Sequence, residues 1–229
     1  IDIGDGQTIR QENVFKNHSL YNANLTEEAS VENDLNINKA INKAFDKKGP
    51  VHINAPFEEP LYQTVSKLDV DVTISAVNKS HYKISVKEII EFTNIWNQSK
   101  KKLILVGENK PNMIDAEIIE ALAKDESVVV MTENTSNLHH PSFLNNIDTI
   151  ITPFAPKEFQ ELQPDILFTF GGMVVSKRIK AFLRTYKPAH HWHIDSLRAY
   201  DTYGVLTQHF KVEPNPFFKQ FLSFAIPIS

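Results

Sequence analysis

The sequence predicts a doubly wound α/β fold of Rossmann-like type, a mostly parallel sheet with helices on both faces. Three observations predict it. Residues 103–106, Val128–Met131 and Ile166–Phe170 are near-continuous apolar runs, as strands buried on both faces require, whereas half-buried strands alternate. The stretches between them carry apolar residues three and four apart, such as Ile114, Ile118, Ile119 and Leu122, then Ile179, Phe182 and Leu183, which makes one-sided helices. Glycines close two of the runs, at Gly107 and Gly171-Gly172. Strands and helices in alternation pack as a covered parallel sheet, here expected over about residues 30–200.

Taken in order, residues 1–24 are polar and aperiodic and read as an extended connection. From Thr26 a helix is expected. Glu27 and Glu28 suit its first turn, where the dipole favours negative charge, and Ile37, Ala40, Ile41, Ala44 and Phe45 share a face. Gly49-Pro50 ends it, and a short strand follows at 51–54. Residues 61–84 read as a long link with a strand near 70–74. Ser85-Val86-Lys87-Glu88 has the capping-box form, in which each side chain bonds the other's free amide; Val86, Ile89, Ile90 and Trp96 make that helix's apolar face. A fourth strand is expected at 191–194, ending at Asp195. The tail, with Pro214, Pro216 and a phenylalanine-rich run to Phe224, reads as a short helix and an exit.

Composition removes several function classes. There is no cysteine, hence no disulfide, thiolate metal site or Cys nucleophile, and a reducing, cytoplasmic setting is expected. The net charge is −4, from 24 basic and 28 acidic residues without a basic block, so nucleic acid is not an expected partner. No apolar run approaches the ~20 residues of a membrane span. The start, Ile1-Asp2-Ile3, is neither an initiator methionine nor a signal peptide and reads as cut from something longer. Seven glycines leave little material for a phosphate cradle.

Four groups of residues invite a chemical reading. Gly4-Asp5-Gly6 followed by Asn33 matches the G-D-G…N pattern that holds a divalent ion on a diphosphate. The match reads as accidental: a metal-holding Asp should end a buried strand, residues 1–3 barely make one, and Asn33 sits near a helix start. Gly171-Gly172, with Asp195 after the next strand, resembles a dinucleotide site, yet lacks the G-x-G spacing that admits a pyrophosphate. Ser176 is expected simply to cap the following helix. His191 and His193 share a strand face, and His139-His140 form a second pair, but a zinc site needs a third ligand; they read as surface or partly buried histidines. Lys100-Lys101-Lys102 and Lys177-Arg178-Lys180 read as solvated helix ends. No nucleophile elbow or Ser-His-Asp arrangement is present, so the residues alone specify an α/β domain without a visible reaction centre.

Two stretches carry a family resemblance. Gly4-Asp5-Gly6-Gln7-Thr8-Ile9-Arg10-Gln11 is similar to G-A-N-Q-x-I-x-Q, and Gly49-Pro50-Val51-His52-Ile53-Asn54-Ala55-Pro56-Phe57-Glu58-Glu59-Pro60-Leu61 to G-P-V-H-x-N-x-P-F-x-E-P-L. Both patterns belong to the 2-succinyl-5-enolpyruvyl-6-hydroxy-3-cyclohexene-1-carboxylate synthase (MenD) family of menaquinone biosynthesis. Residues 164–171 and 176–178 resemble a later stretch of the same family. The resemblance implies that residues 1–24 end a pyrimidine-binding domain and its connector, and that 25–229 form the central domain. It implies a parent transferase, a homodimer or homotetramer, that uses thiamine diphosphate and Mg2+ or Mn2+ to decarboxylate 2-oxoglutarate and add the product to isochorismate. Its catalytic, cofactor and metal residues would lie outside this chain, with no cofactor bound here. Gln7 alone would contact substrate. The expected role of this chain is structural, the alternatives being a nucleotide-binding module or a regulatory-ligand module, for which Arg178 and Arg184 supply charge.

Overall fold

The computed structural model describes residues 9–57, 62, 64, 66, 67, 74 and 83–228. The chain divides into two compact units, Ile1–Ser80 and His81–Ser229.

In the first unit, β1 (Asn22–Asn24) and β2 (His52–Asn54) pair in parallel, Ala23 opposite Ile53, and α1 (Val31–Lys47) connects them. The helix starts later than its acidic residues suggest. Ser30 is its cap, accepting from the Asn33 amide. The Asn33 side chain accepts from the Thr26 amide at 3.0 Å and donates to the Thr26 and Glu28 carbonyls at 2.9 Å each, so residues 26–28 are held as a loop. Lys48, at φ 45°, ends the helix in the left-handed region, as a C-terminal turn demands. Residues 22–24, read as connection, are thus a strand. The strand expected near 70–74 lies outside the described residues except for Ile74.

The second unit is built on five strands: β3 (Lys102–Val106), β4 (Val128–Met131), β5 (Ile166–Phe170), β6 (His190–Ile194) and β7 (Gln208–Phe210), every pair parallel, in the order β4-β3-β5-β6-β7. The strand alternation sorts the core into two layers. Ile104, Val106, Phe168 and Phe170 face α2 (Val86–Gln98), α3 (Ala116–Ala123) and α7 (Pro214–Leu222). Leu103, Leu105 and Leu167 face α4 (Ile147–Ile151) and α6 (Lys177–Thr185), with Phe159 of α5 (Pro156–Leu162) beside them. This is the doubly wound arrangement. The capping box of α2 is formed, Ser85 Oγ accepting from the Glu88 amide at 3.2 Å and Glu88 accepting from the Ser85 amide at 3.1 Å. Among the described residues no helix is long and apolar enough to cross a membrane.

One feature departs from the sequence reading. Lys102, grouped with solvated lysines, is 2% exposed. Its ammonium donates to Ser127 Oγ at 2.7 Å, lies 3.6 Å from the Asp125 carboxylate and sits over the Trp96 ring, the pairing a buried charge needs. The tail helix α7 forms as expected, and it is a wall of the core. Its Phe217, Phe218 and Phe221 rings lie 5.5–5.8 Å from Phe168, mid-sheet, within the range of favourable aromatic pairing. Phe221→Ala should therefore cost about 3–5 kcal/mol in urea unfolding, while Phe224→Ala, at a residue 39% exposed, should cost less than about 1 kcal/mol. Equal effects would show that α7 does not close the core.

Candidate functional site

In a sheet of this order the chain reverses direction between β3 and β5, and ligands of such folds bind outside the carboxyl ends of the strands at that point. Here the two turns that leave β3 and β5 are packed against each other. Gly107 donates to the Phe170 carbonyl at 2.9 Å and Gly172 to the Glu108 carbonyl at 2.7 Å. A Cβ on Gly107 would lie 2.0 Å from the Gly172 carbonyl oxygen. Gly171, at φ +82°, occupies a conformation that suits glycine. Gly171-Gly172, which lack the spacing for a pyrophosphate, let their turn pack backbone to backbone against that of Gly107.

The other parts of the supposed dinucleotide site are likewise committed. Ser176 caps α6, accepting from Ile179 at 3.1 Å, and its hydroxyl donates to Asp148. The Val175 and Ser176 amides, which would meet a phosphate, donate to the two carboxylate oxygens of Glu133 at 2.7 and 2.6 Å. Asp195 accepts from the Leu197 and Arg198 amides at 2.7 and 2.8 Å, closing its own turn. Outside the Glu133 contact a shallow depression of about 630 Å3 carries Asn145, Lys177 and Arg178.

A more enclosed cavity, about 650 Å3, opens beside it at the carboxyl ends of β5 and β6. Its floor is polar. Thr169, the one polar residue of β5, sets its hydroxyl 2.9 Å from His191 Nε2 and 2.8 Å from His193 Nδ1. A hydroxyl has one proton, so it can donate to at most one of the two imidazoles, and at least one of them must donate to it. His191 is 1% exposed, and its Nδ1 has no protein partner. Burial pushes its pKa down from 6.5 to about 4, helped by His193 and opposed by Asp201. Burial lowers His193 too, against the pull of Asp195. Tyr203, edge-on to His191, has its hydroxyl pKa raised by burial and by the charge of Glu133. Lys180 and Arg184 enter the wall, donating to the Val174 and Thr202 carbonyls at 3.1 and 3.0 Å. The cavity thus offers two neutral imidazoles, two aromatic faces at Tyr200 and Tyr203, and fixed positive charge.

The structure brings His191 and His193 together as expected of one strand face, but on a threonine. His140 stands apart, 3.4 Å from Glu120 and accepting at Nδ1 from the Ser142 amide. Among the described residues no group of three or more His, Asp or Glu could hold a metal. Gly4-Asp5-Gly6 and Gln7 lie outside the described residues. The sequence reading missed the Thr169 network, although a lone threonine inside an otherwise apolar strand was a visible signal.

The sequence matches the family model described as the middle domain of thiamine pyrophosphate over residues 77–221. It is 65% identical over 223 residues to the 2-succinyl-5-enolpyruvyl-6-hydroxy-3-cyclohexene-1-carboxylate synthase of Flavobacterium johnsoniae, covering 97% of this chain and 40% of that protein. The synthase of the same name from Flavobacterium psychrophilum is 61% identical, with the same coverage. That of Christiangramia forsetii is 48% identical over 91% of this chain and 40% of its own length. The chain therefore spans about 40% of the length of these curated relatives. In fold it is similar to benzoylformate decarboxylase from Polynucleobacter necessarius, with a TM-score of 0.56 at 13% identity, covering 91% of this chain and 39% of that one.

The buried histidine generates a pH prediction. An unfolded chain takes up a proton near pH 6.5 that folded His191 refuses until about pH 4. The stability tied to its neutral form is complete above pH 6.5 and declines as pH falls toward 4, by on the order of 3 kcal/mol. Unfolding free energies of the chain and of His191→Phe, measured across that interval, should differ in slope, the variant being flatter. Parallel slopes would mean that His191 protonates freely in the folded state.

Proposed function

Because the chain belongs to the thiamine pyrophosphate middle-domain family, with 2-succinyl-5-enolpyruvyl-6-hydroxy-3-cyclohexene-1-carboxylate synthases as its relatives, we propose that it forms the structural centre of an enzyme of that type. In this reading the whole protein decarboxylates 2-oxoglutarate and joins the resulting carbon nucleophile to isochorismate, in menaquinone biosynthesis. It uses thiamine diphosphate with Mg2+ or Mn2+, and it works in the cytoplasm as a homodimer or homotetramer. The reacting groups lie outside these 229 residues, Gln7 being the substrate contact proposed within them. This portion spaces and supports the rest.

The observation that carries the reading is the Glu133 carboxylate on the Val175 and Ser176 amides. A diphosphate needs unclaimed amide or cationic donors and an oxygen-ligand set for its metal. At that helix start two amides are already taken by the chain's own carboxylate, and among the described residues no group of three or more His, Asp or Glu could hold the metal. The described residues therefore do not fit thiamine diphosphate, and no step of its chemistry is assigned to them.

A second reading, a regulatory-ligand site, is favoured by one observation: the unpartnered, buried His191 Nδ1 beside Arg184 and Lys180 in the 650 Å3 cavity. A flat organic acid has the matching chemistry, a carboxylate for the cations and a ring for the tyrosines. Calorimetric titration of this chain with thiamine diphosphate and Mg2+ should show no heat of binding, and micromolar affinity would overturn the structural reading. In the same preparation, a thermal shift with hydroxylated aromatic carboxylates that Arg184→Gln abolishes would support the second reading. Unchanged melting across such acids would dismiss it.

A further inference from the structure

The amino ends of β3 and β4 carry a buried group of polar side chains, at the opposite ends of the strands from the histidine cavity. Lys102 opens β3 and stands in register with Val128, which opens β4. Asp125 and Ser127 lie in the turn between α3 and β4, and the Trp96 ring of α2 lies under the Lys102 ammonium. The Lys102 and Asp125 side chains are 0% and 7% exposed.

Hydrogen bonds are shared unevenly within this group. Asp125 Oδ1 accepts from the Ser127 amide at 3.0 Å, the Ser127 hydroxyl at 2.5 Å and the Ile228 amide at 3.2 Å. Oδ2 of the same carboxylate faces the ammonium at 3.6 Å, which is too long for a hydrogen bond. The indole N–H of Trp96 is buried and has no protein partner. Indole nitrogen is a donor only, and a buried donor left unpaired is costly.

Trp96 and Asp125 line one cavity of about 70 Å3, together with Leu122, Val128, Ala225 and Pro227. The tail roofs it. Asn97 holds the tail to α2, donating to the Phe224 carbonyl at 3.2 Å and accepting from the Ile226 amide at 2.9 Å. Ile228 closes the far end, its carbonyl accepting from the Glu126 amide at 2.9 Å and its amide donating to Asp125.

The charges select what fits there. An ammonium and an N–H donor repel a cation, and a carboxylate oxygen repels an anion. A neutral molecule that both accepts and donates suits the pair Trp96 and Asp125. A water takes up about 30 Å3 in the liquid and needs two to four polar partners, whereas wholly apolar cavities stay dry. The size of the space admits little else.

We propose that this cavity is a site for ordered water, which accepts from Trp96 Nε1–H and donates to Asp125 Oδ2, and that residues 224–228 are its lid. The bound water joins the indole to the buried ion pair, so the tail that seals it belongs to the floor of the second unit.

Nuclear magnetic resonance on the 229-residue chain tests this. In the rotating frame, transfer from water to the Trp96 indole proton should give a peak opposite in sign to the diagonal, the mark of a held water. In Asn97→Ala, which releases Phe224 and Ile226 from α2, the indole proton should exchange with bulk water at least about 10-fold faster, while the β5 amides keep their rates. A protected indole proton without the opposite-sign peak would overturn the proposal, because the cavity would then be dry. A peak of the same sign as the diagonal in the unaltered chain would also overturn it, since bulk solvent would be reaching the indole directly. Equal indole exchange in chain and variant would show that the tail is not the lid.

Discussion

A carboxylate seated on a helix terminus governs what this molecule can do. Glu133, just past the end of β4, crosses to the residues that lead into α6 and takes both the Val175 and Ser176 amides. Those are the donors with which doubly wound folds hold phosphate. Next to it, Gly107 and Gly172 pack so closely that no Cβ fits between the turns. Two of the amides there are thus satisfied internally, and the more enclosed opening at these strand ends is the cavity over Thr169, His191 and His193.

That division of labour follows from the sheet itself. β5 is buried at all five residues, so each of its side chains must suit one layer or the other. Phe168 takes the α7 phenylalanines and Trp96; Leu167 takes the α6 layer. Thr169 lies one residue from the carboxyl end, where a hydroxyl can be buried only with partners. Two histidines on the next strand provide them, at the cost of being held neutral. The polar floor of the cavity is therefore a packing solution as much as a recognition surface.

Much of this was legible in the residues. Strands buried on both faces cannot hide their composition, so β3, β4 and β5 stood out. Ser85-Val86-Lys87-Glu88 and Ser176 announced their caps because capping is a local transaction between neighbouring atoms. What escaped depends on distance along the chain. Gln208–Phe210 has no apolar run, and it is a strand only because β6 offers an edge. Lys102 read as solvated because Asp125, Ser127 and Trp96, which make its burial tolerable, are separated from it in sequence. Nothing near Glu133 announces a bond to residues more than forty positions later. The family resemblance supplied what periodicity could not, and residues 22–24 still read as connection because three residues of strand carry no pattern.

The protein's own Glu133 fills a position where this fold can hold phosphate. Titration of inorganic pyrophosphate, followed through the Val175 and Ser176 amide resonances, tests it directly when run on the chain and on Glu133→Ala. Those two signals should not move in the chain at millimolar pyrophosphate, and should move in the variant once the carboxylate is gone. Displacement of both signals in the unaltered chain at micromolar pyrophosphate would contradict it.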